Sequence, residues 1–222
     1  MRTSKNFKLN KMKKVFAIMA LVAAMFVANN AQAQLSVNLG YAPETFSSTI
    51  NTTTTTSGYQ GFFGGVTYNL GIAQGIGVAL GAQYRLNLTS SESTVLTVTT
   101  KISDTQHLID VPVLLNYGIA VNRQFTIVPF VGPMCSFAVA GNTKTTTHSS
   151  VTSLADTELN SDWYGDNSNN SRLNLNLVFG AAFKYEQFKL FGGYRLGLLD
   201  QYKADGMTVK TSGFFIGLGM CI

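Results

Sequence analysis

From residue 34 onward, apolar and polar residues alternate with period two, the spacing of β-strands whose two faces meet different surroundings. Eight such segments are predicted, at 34–42, 58–70, 75–88, 106–119, 124–140, 172–185, 187–199 and 208–222. The third is among the clearest: Ile76, Val78, Leu80, Ala82, Tyr84, Leu86 and Leu88 share one face, and Gly77, Ala79, Gly81, Gln83, Arg85 and Asn87 the other. The sixth sets Leu173, Leu175, Leu177, Phe179, Ala181, Phe183 and Tyr185 against Arg172, Asn174, Asn176, Val178, Gly180, Ala182 and Lys184. The bulky face is greasy and the opposite face small or polar, and the segments have about the length of a tilted membrane strand, roughly 9–11 residues or a little more.

Connections alternate long and short. Residues 71–75, 120–123 and 186–187 read as tight turns, and 43–57, 89–105, 141–171 and 200–207 as loops. That rhythm predicts an all-β, eight-stranded antiparallel up-and-down transmembrane β-barrel, with short periplasmic turns, longer extracellular loops and both termini periplasmic. Tyr68, Tyr117, Phe125, Tyr185 and Phe188 border the short turns, where an interfacial aromatic girdle belongs. Pro112, Pro129 and Pro133 fall inside the fourth and fifth strands; a closed barrel has no free edge for them, so bulges are expected there.

The first 33 residues read differently. Arg2, Lys5, Lys8, Lys11, Lys13 and Lys14 precede an apolar run from Val15 to Ala28 and an Ala31-Gln32-Ala33 site, the layout of a cleavable signal peptide. The domain division is therefore 1–33 signal peptide and 34–222 outer-membrane barrel. Removing the leader changes the charge: ten bases face eleven acids, a formal −1, so the basic whole-chain balance is no argument for nucleic acid. Cys135 and Cys221 lie in separate apolar strands and read as small apolar residues rather than a bridge.

Parity places Arg85, Asp110, Arg172, Lys184, Lys189 and Arg195 on the inner face. An eight-stranded barrel is just wide enough to be filled by side chains. Enclosed charges need partners or water, so a hydrogen-bonded plug is expected in which Asp110 pairs with one or more of these bases. Their excess over Asp110 calls for further acids or water. Catalysis is not expected: the two histidines, His107 near Asp104 and Asp110 and His148 in a Thr/Ser-rich loop, lack nucleophile-elbow, HExxH or Cys/His metal spacing. Asp156, Glu158, Asp162 and Asp166 lack the spacing of a calcium loop, and no cofactor is implied. The Thr-rich loops favour extended structure that prolongs the strands. Within them Trp163 and Tyr164 are the candidate contact residues, for a partner or, by preference, for the membrane surface.

The stretch His107-Leu108-Ile109-Asp110-Val111-Pro112-Val113-Leu114-Leu115-Asn116-Tyr117 resembles the L-x-I-P-L-L-L-K-Y strand of PorT-like outer-membrane β-barrel proteins, with Asn116 in place of Lys. Val128-Pro129-Phe130-Val131-Gly132-Pro133 is similar to the P-Y-x-x-x-G-P strand that follows it, and the segments 179–185 and 193–198 extend the likeness. Ile222 stands where such barrels usually end in an aromatic. The resemblance implies fold and location, outer-membrane lipid and the assembly machinery as partners, and for some members an accessory role in protein secretion. The reading is a non-enzymatic barrel serving envelope structure or surface interaction. Its rival is a soluble secreted lipocalin-like barrel, which would be greasy inside and polar outside.

Overall fold

The computed structural model describes residues 34–50, 52–95, 98–149, 157–165, 168–202 and 206–222. The expected signal peptide and the loop acids Asp156 and Asp166 lie outside them. The strands are β1 (Gln34–Tyr41), β2 (Glu44–Ile50), β3 (Thr53–Ala73), β4 (Ile76–Val95), β5 (Val98–Tyr117), β6 (Ile119–Ala120), β7 (Phe125–Ser149), β8 (Thr157–Asp162), β9 (Leu173–Tyr185), β10 (Phe188–Gly197) and β11 (Met207–Cys221). All pairings are antiparallel. β1 pairs with both β3 and β11, which closes β1-β3-β4-β5-β7-β9-β10-β11 into a ring of eight.

β2 continues β1. Pro43 lacks an N–H and interrupts the ladder, yet the register against β3 is the same on both sides, Tyr41 opposite Phe62 and Glu44 opposite Tyr59. The expected loop at 43–57 is therefore mostly a β2–β3 hairpin. The loop expected at 89–105 is strand over 89–95 and 98–105, because β4 and β5 stay paired in one register out to Val95 and Val98. β7 extends to Ser149 and carries β8 on its edge, with Asn142 to Thr147 opposite Asp162 to Thr157. Thr and Ser suit the pleated sheet, and each fills both faces of these hairpins with groups that water satisfies. From Leu88 to Val95 the β4–β5 hairpin rises about 20 Å along the strand.

The short turns fall where the pattern puts them. Gln74-Gly75 joins β3 to β4, and Gly75 takes φ 76°, where a Cβ would also lie 2.9 Å from the Gly118 carbonyl. Glu186-Gln187 joins β9 to β10 with Glu186 in the left-handed region, and Asn122 Oδ1 accepts hydrogen bonds from the Gln124 and Phe125 amides in the turn before β7.

The prolines do not bring bulges. Between β4 and β5 the ladder skips Gly81 and Ala82, opposite Pro112 and Val111, and resumes in the same register. Pro129 and Pro133 pair with Ala181 and Leu177 without a shift. Each proline forfeits a donor, which costs a bond but demands no inserted residue. The bulge between β5 and β7 lies instead at Val139, left unpaired between Leu108 opposite Ala138 and His107 opposite Ala140. Below it the odd-numbered residues of β7 face outward; above it Gly141 and Thr143 face inward.

Burial is inverted relative to a water-soluble domain. The largest fully buried side chains are Arg85, Gln106, Asn87, Asn176, Thr211, Asp110 and Ser136, all polar. Leu39, Leu115, Phe188, Phe214 and Leu218 are each more than half exposed. Cys135 faces out and Cys221 in, so the two free thiols stand on opposite sides of the wall. On β5 the outward apolar run from Ile109 to Tyr117 ends at His107 and gives way to Thr105, Ser103 and Lys101. These nine residues at about 3.4 Å rise and 35–45° tilt make a band of roughly 22–25 Å, close to the height of an outer-membrane apolar belt.

Candidate functional site

The interior is stacked in layers. At its centre Arg85 on β4 grips Asp110 on β5 with two hydrogen bonds, Nε to Oδ2 at 2.7 Å and Nη2 to Oδ1 at 3.2 Å. Its Nη1 reaches Glu44 on β2, which also accepts from Asn87 Nδ2 at 2.7 Å. Arg195 on β10 stands 3.8 Å from both carboxylates and completes a quartet of two acids and two arginines with no net charge. All four are at most 4% exposed. Arg195 Nε and Nη2 and Asn174 Oδ1 make no direct hydrogen bond. Beside the quartet, under Tyr164, lies a small cavity lined by Glu44, Arg85, Gln106, Asn174 and Gln201, of a size that suits water rather than an organic ligand.

On the short-turn side of the quartet lies an aromatic layer that parity alone did not reveal. Phe63, Phe130, Phe191 and Phe215 face inward with Ala42, Ala182 and Val128. Phe63 and Phe191 have ring centroids 6.0 Å apart, Phe191 and Phe215 6.4 Å, and Phe130 and Phe215 6.3 Å. Each ring tip rests on a glycine of a neighbouring strand: a Cβ would come within 2.5 Å of Phe63 at Gly40, 2.5 Å of Phe191 at Gly217, 2.8 Å of Phe130 at Gly180 and 2.9 Å of Phe215 at Gly193.

Above the quartet a second set closes the mouth. Asn87 and Gln106 link by 3.2 Å, and Gln106 Nε2 donates to the Tyr164 hydroxyl at 2.8 Å. Trp163 Nε1 donates to Thr143 at 2.6 Å, Thr143 to Asp104 at 2.6 Å, and the Tyr59 hydroxyl to Asp104 at 2.9 Å. The Val139 bulge turns Gly141 inward beneath Trp163 and Tyr164, where a Cβ would lie 2.9–3.1 Å from both rings. Burial and the neighbouring Asp104 push the Tyr59 phenol above its usual range, and burial raises Tyr164.

Several sequence-predicted residues are thereby relocated. Trp163 and Tyr164 do not rest on the outer surface; they fold over the mouth because Thr143 and Gln106 offer hydrogen bonds there. Arg172 is not part of the inner cluster. It stands exposed at the rim, donating to the carbonyls of Val139 at 2.9 Å and Tyr164 at 3.1 Å, with its guanidinium 4.8 Å over the Tyr164 ring. Lys184 and Lys189 lie apart from the quartet, on the other side of the aromatic layer, with Lys184 Nζ bonded to Gln34 and Lys189 Nζ near the Phe191 ring. Only Arg85, Asp110 and Arg195 of the six come together, and Glu44 is the member the sequence reading missed.

Tyr68, Tyr117, Phe125, Tyr185 and Phe188 sit near the short turns, with Tyr117, Tyr185 and Phe188 at least half exposed. His107 faces outward and bonds the Tyr84 hydroxyl, on the opposite side of the wall from Asp104 and Asp110. That orientation removes it from either carboxylate. Glu158 pairs with Lys144 at 2.9 Å on the exposed hairpin, and hydrogen bonds from Lys144 and Asn160 hold its carboxyl below the usual range; Asp162 accepts from the Tyr164 amide.

A family model described as an outer membrane protein beta-barrel domain matches residues 27–203. Among solved structures, the attachment invasion locus protein Ail of Yersinia pestis is similar at 13% identity and a TM-score of 0.41, covering 86% of this chain and 99% of that one. Neisserial surface protein A follows at 11% and 0.39, covering 85% and 97%. The outer membrane enzyme PagL stands at 12% and 0.37, covering 82% and 99%. Comparison with curated proteins gives no match.

Proposed function

The chain belongs to the outer membrane protein beta-barrel domain family, and from that premise we propose that it is a non-enzymatic barrel with a plugged interior, offering its long hairpins as the working surface. The strand His107–Tyr117 supports a place nearer the PorT-like barrels within the family. The observation that carries the reading is the way the described residues fill the interior, with quartet, aromatic layer and cap stacked one above another. His107 points away from the interior carboxylates Asp104 and Asp110, Arg85 is neutralised by hydrogen-bonded acids, and Arg195 stands 3.8 Å from the same two carboxylates. What remains accessible is the polar sheet of β2–β3, β4–β5 and β7–β8 beyond the apolar belt. The greasy exterior and polar interior argue against a soluble ligand-binding barrel.

In this reading the hairpins face the outside of the cell, the short turns and both termini face the periplasm, and the girdle residues Tyr68, Tyr117, Phe125, Tyr185 and Phe188 mark the periplasmic interface. Surface digestion of intact cells tests it. Trypsin is expected to cut at Lys101 and Lys144 while the barrel core keeps its heat-shifted gel mobility. Cleavage at Arg123 in the short turn, with the hairpins protected, would reverse the orientation.

A further inference from the structure

The quartet is neutral by itself, Arg172 is satisfied at the rim and Asp104 is held in the cap by Tyr59 and Thr143, so on the short-turn side of the aromatic layer the inward charge among the described residues is the pair Lys184 and Lys189. These two are directly opposite in the β9–β10 register, where like charges repel. Lys184 Nζ donates to Gln34 Oε1 and Lys189 Nζ lies 5.1 Å from the Phe191 ring centroid, both neutral partners. Among the described residues no carboxylate forms an ion pair with either. The aromatic layer separates them along the strands from Glu44 and Asp110.

A row of registered residues runs across the wall at this level. Asn38 on β1 is opposite Gly219 on β11, Gly219 is opposite Lys189 on β10, and Lys189 is opposite Lys184 on β9. The missing side chain at Gly219 lets two groups close in over its backbone: a Cβ there would lie 2.5 Å from Asn38 Oδ1 and 2.9 Å from Lys189 Cε. Asn38 is 2% exposed, and its Oδ1 has no hydrogen-bond partner although its Nδ2 is held by Thr67 at 3.0 Å. The row thus presents two adjacent ammonium groups without a paired carboxylate and one buried acceptor without a donor.

We propose that Asn38, Lys189 and Lys184 form a binding site for a phosphate group at the short-turn mouth of the barrel. A hydrogen phosphate carries both complements: oxygens for the two ammonium groups and an O–H for Asn38 Oδ1. A carboxylate lacks the donor. The aqueous source is free phosphate or a small phosphate monoester.

Calorimetric titration of the full chain, purified in nonionic detergent without phosphate, tests the site. Inorganic phosphate is expected to bind saturably at one site. Glycerol phosphate competing as well as phosphate identifies a monoester site, and its exclusion identifies a free-ion site. K184Q and K189Q are expected to weaken binding at least tenfold while K101Q and K144Q leave it unchanged. Because K189Q removes a repulsion, it is expected to melt no lower than the parent in phosphate-free buffer and to lose the rise in Tm that phosphate gives the parent. G219A pushes Asn38 Oδ1 and Lys189 Cε apart and is expected to abolish binding with heat-shifted mobility intact. Absence of saturable binding, unchanged affinity in both lysine variants, or acetate competing as well as phosphate would overturn the assignment.

Discussion

Glu44→Gln removes one charge from the quartet while keeping the side chain's shape. The carboxylate it replaces accepts from Arg85 Nη1 and Asn87 Nδ2 and faces Arg195 Nε at 3.8 Å, with all partners nearly inaccessible. In the variant two guanidinium groups share Asp110 alone, leaving one buried positive charge without a counterion. Breaking a buried pair from one side costs about 3–5 kcal/mol. The small cavity beside the quartet admits water and favours the lower end, about 3 kcal/mol, a change of more than 100-fold in the folding equilibrium. The assay is urea unfolding of the detergent-solubilised barrel, followed by heat-shifted gel mobility and by fluorescence of Trp163, the single tryptophan. Adding Arg195→Met restores neutrality, so the double variant is expected to be more stable than E44Q alone. The exposed pair partner change E158Q is expected to shift nothing measurable. A cost for E44Q below about 1 kcal/mol, or no rescue by R195M, would refute the charge argument.

Gly217→Val places a side chain where the Phe191 ring tip lies, and the overpacking is expected to cost about 1–3 kcal/mol, read as a lower urea midpoint. Tyr164→Phe deletes the hydroxyl that Gln106 donates to, which is expected to cost about 1–2 kcal/mol and to alter Trp163 fluorescence through the loosened cap. The Tyr59 phenol, raised in the folded state, stabilises fully below about pH 10 and loses that contribution as pH rises through 10 and above. Y59F, which forfeits the bond to Asp104, is therefore expected to be less stable at pH 8 by about 2 kcal/mol but to show a shallower alkaline loss in the same unfolding assay.

The eight-strand ring, its face parity and its short turns were legible because period two, sustained over ten or more residues, has one structural solution. Glu44 was not. Pro43 reads as a strand end, yet the chain resumes in the same register one residue later, so the parity of Ser36, Asn38 and Gly40 runs on to Glu44. The hairpin extensions were legible as Thr-rich β propensity but not as paired strand, because both faces are solvated there and carry no alternation. The aromatic layer left a trace in the adjacent apolar pairs Phe62-Phe63, Leu190-Phe191 and Phe214-Phe215, where one residue must face in. Arg172 has inward parity, but parity carries no height, and it lies at the rim. The inward turn of Gly141 and Thr143 depends on the single unpaired residue Val139, which no local pattern marks.

The central claim is that the interior is filled, and the conductance of the purified barrel in planar lipid bilayers tests it most directly. With the quartet, the aromatic layer and the cap in place, membranes into which the heat-shifting protein has inserted are expected to remain electrically silent, whereas stable, ohmic channel steps would mean an open lumen and contradict the account.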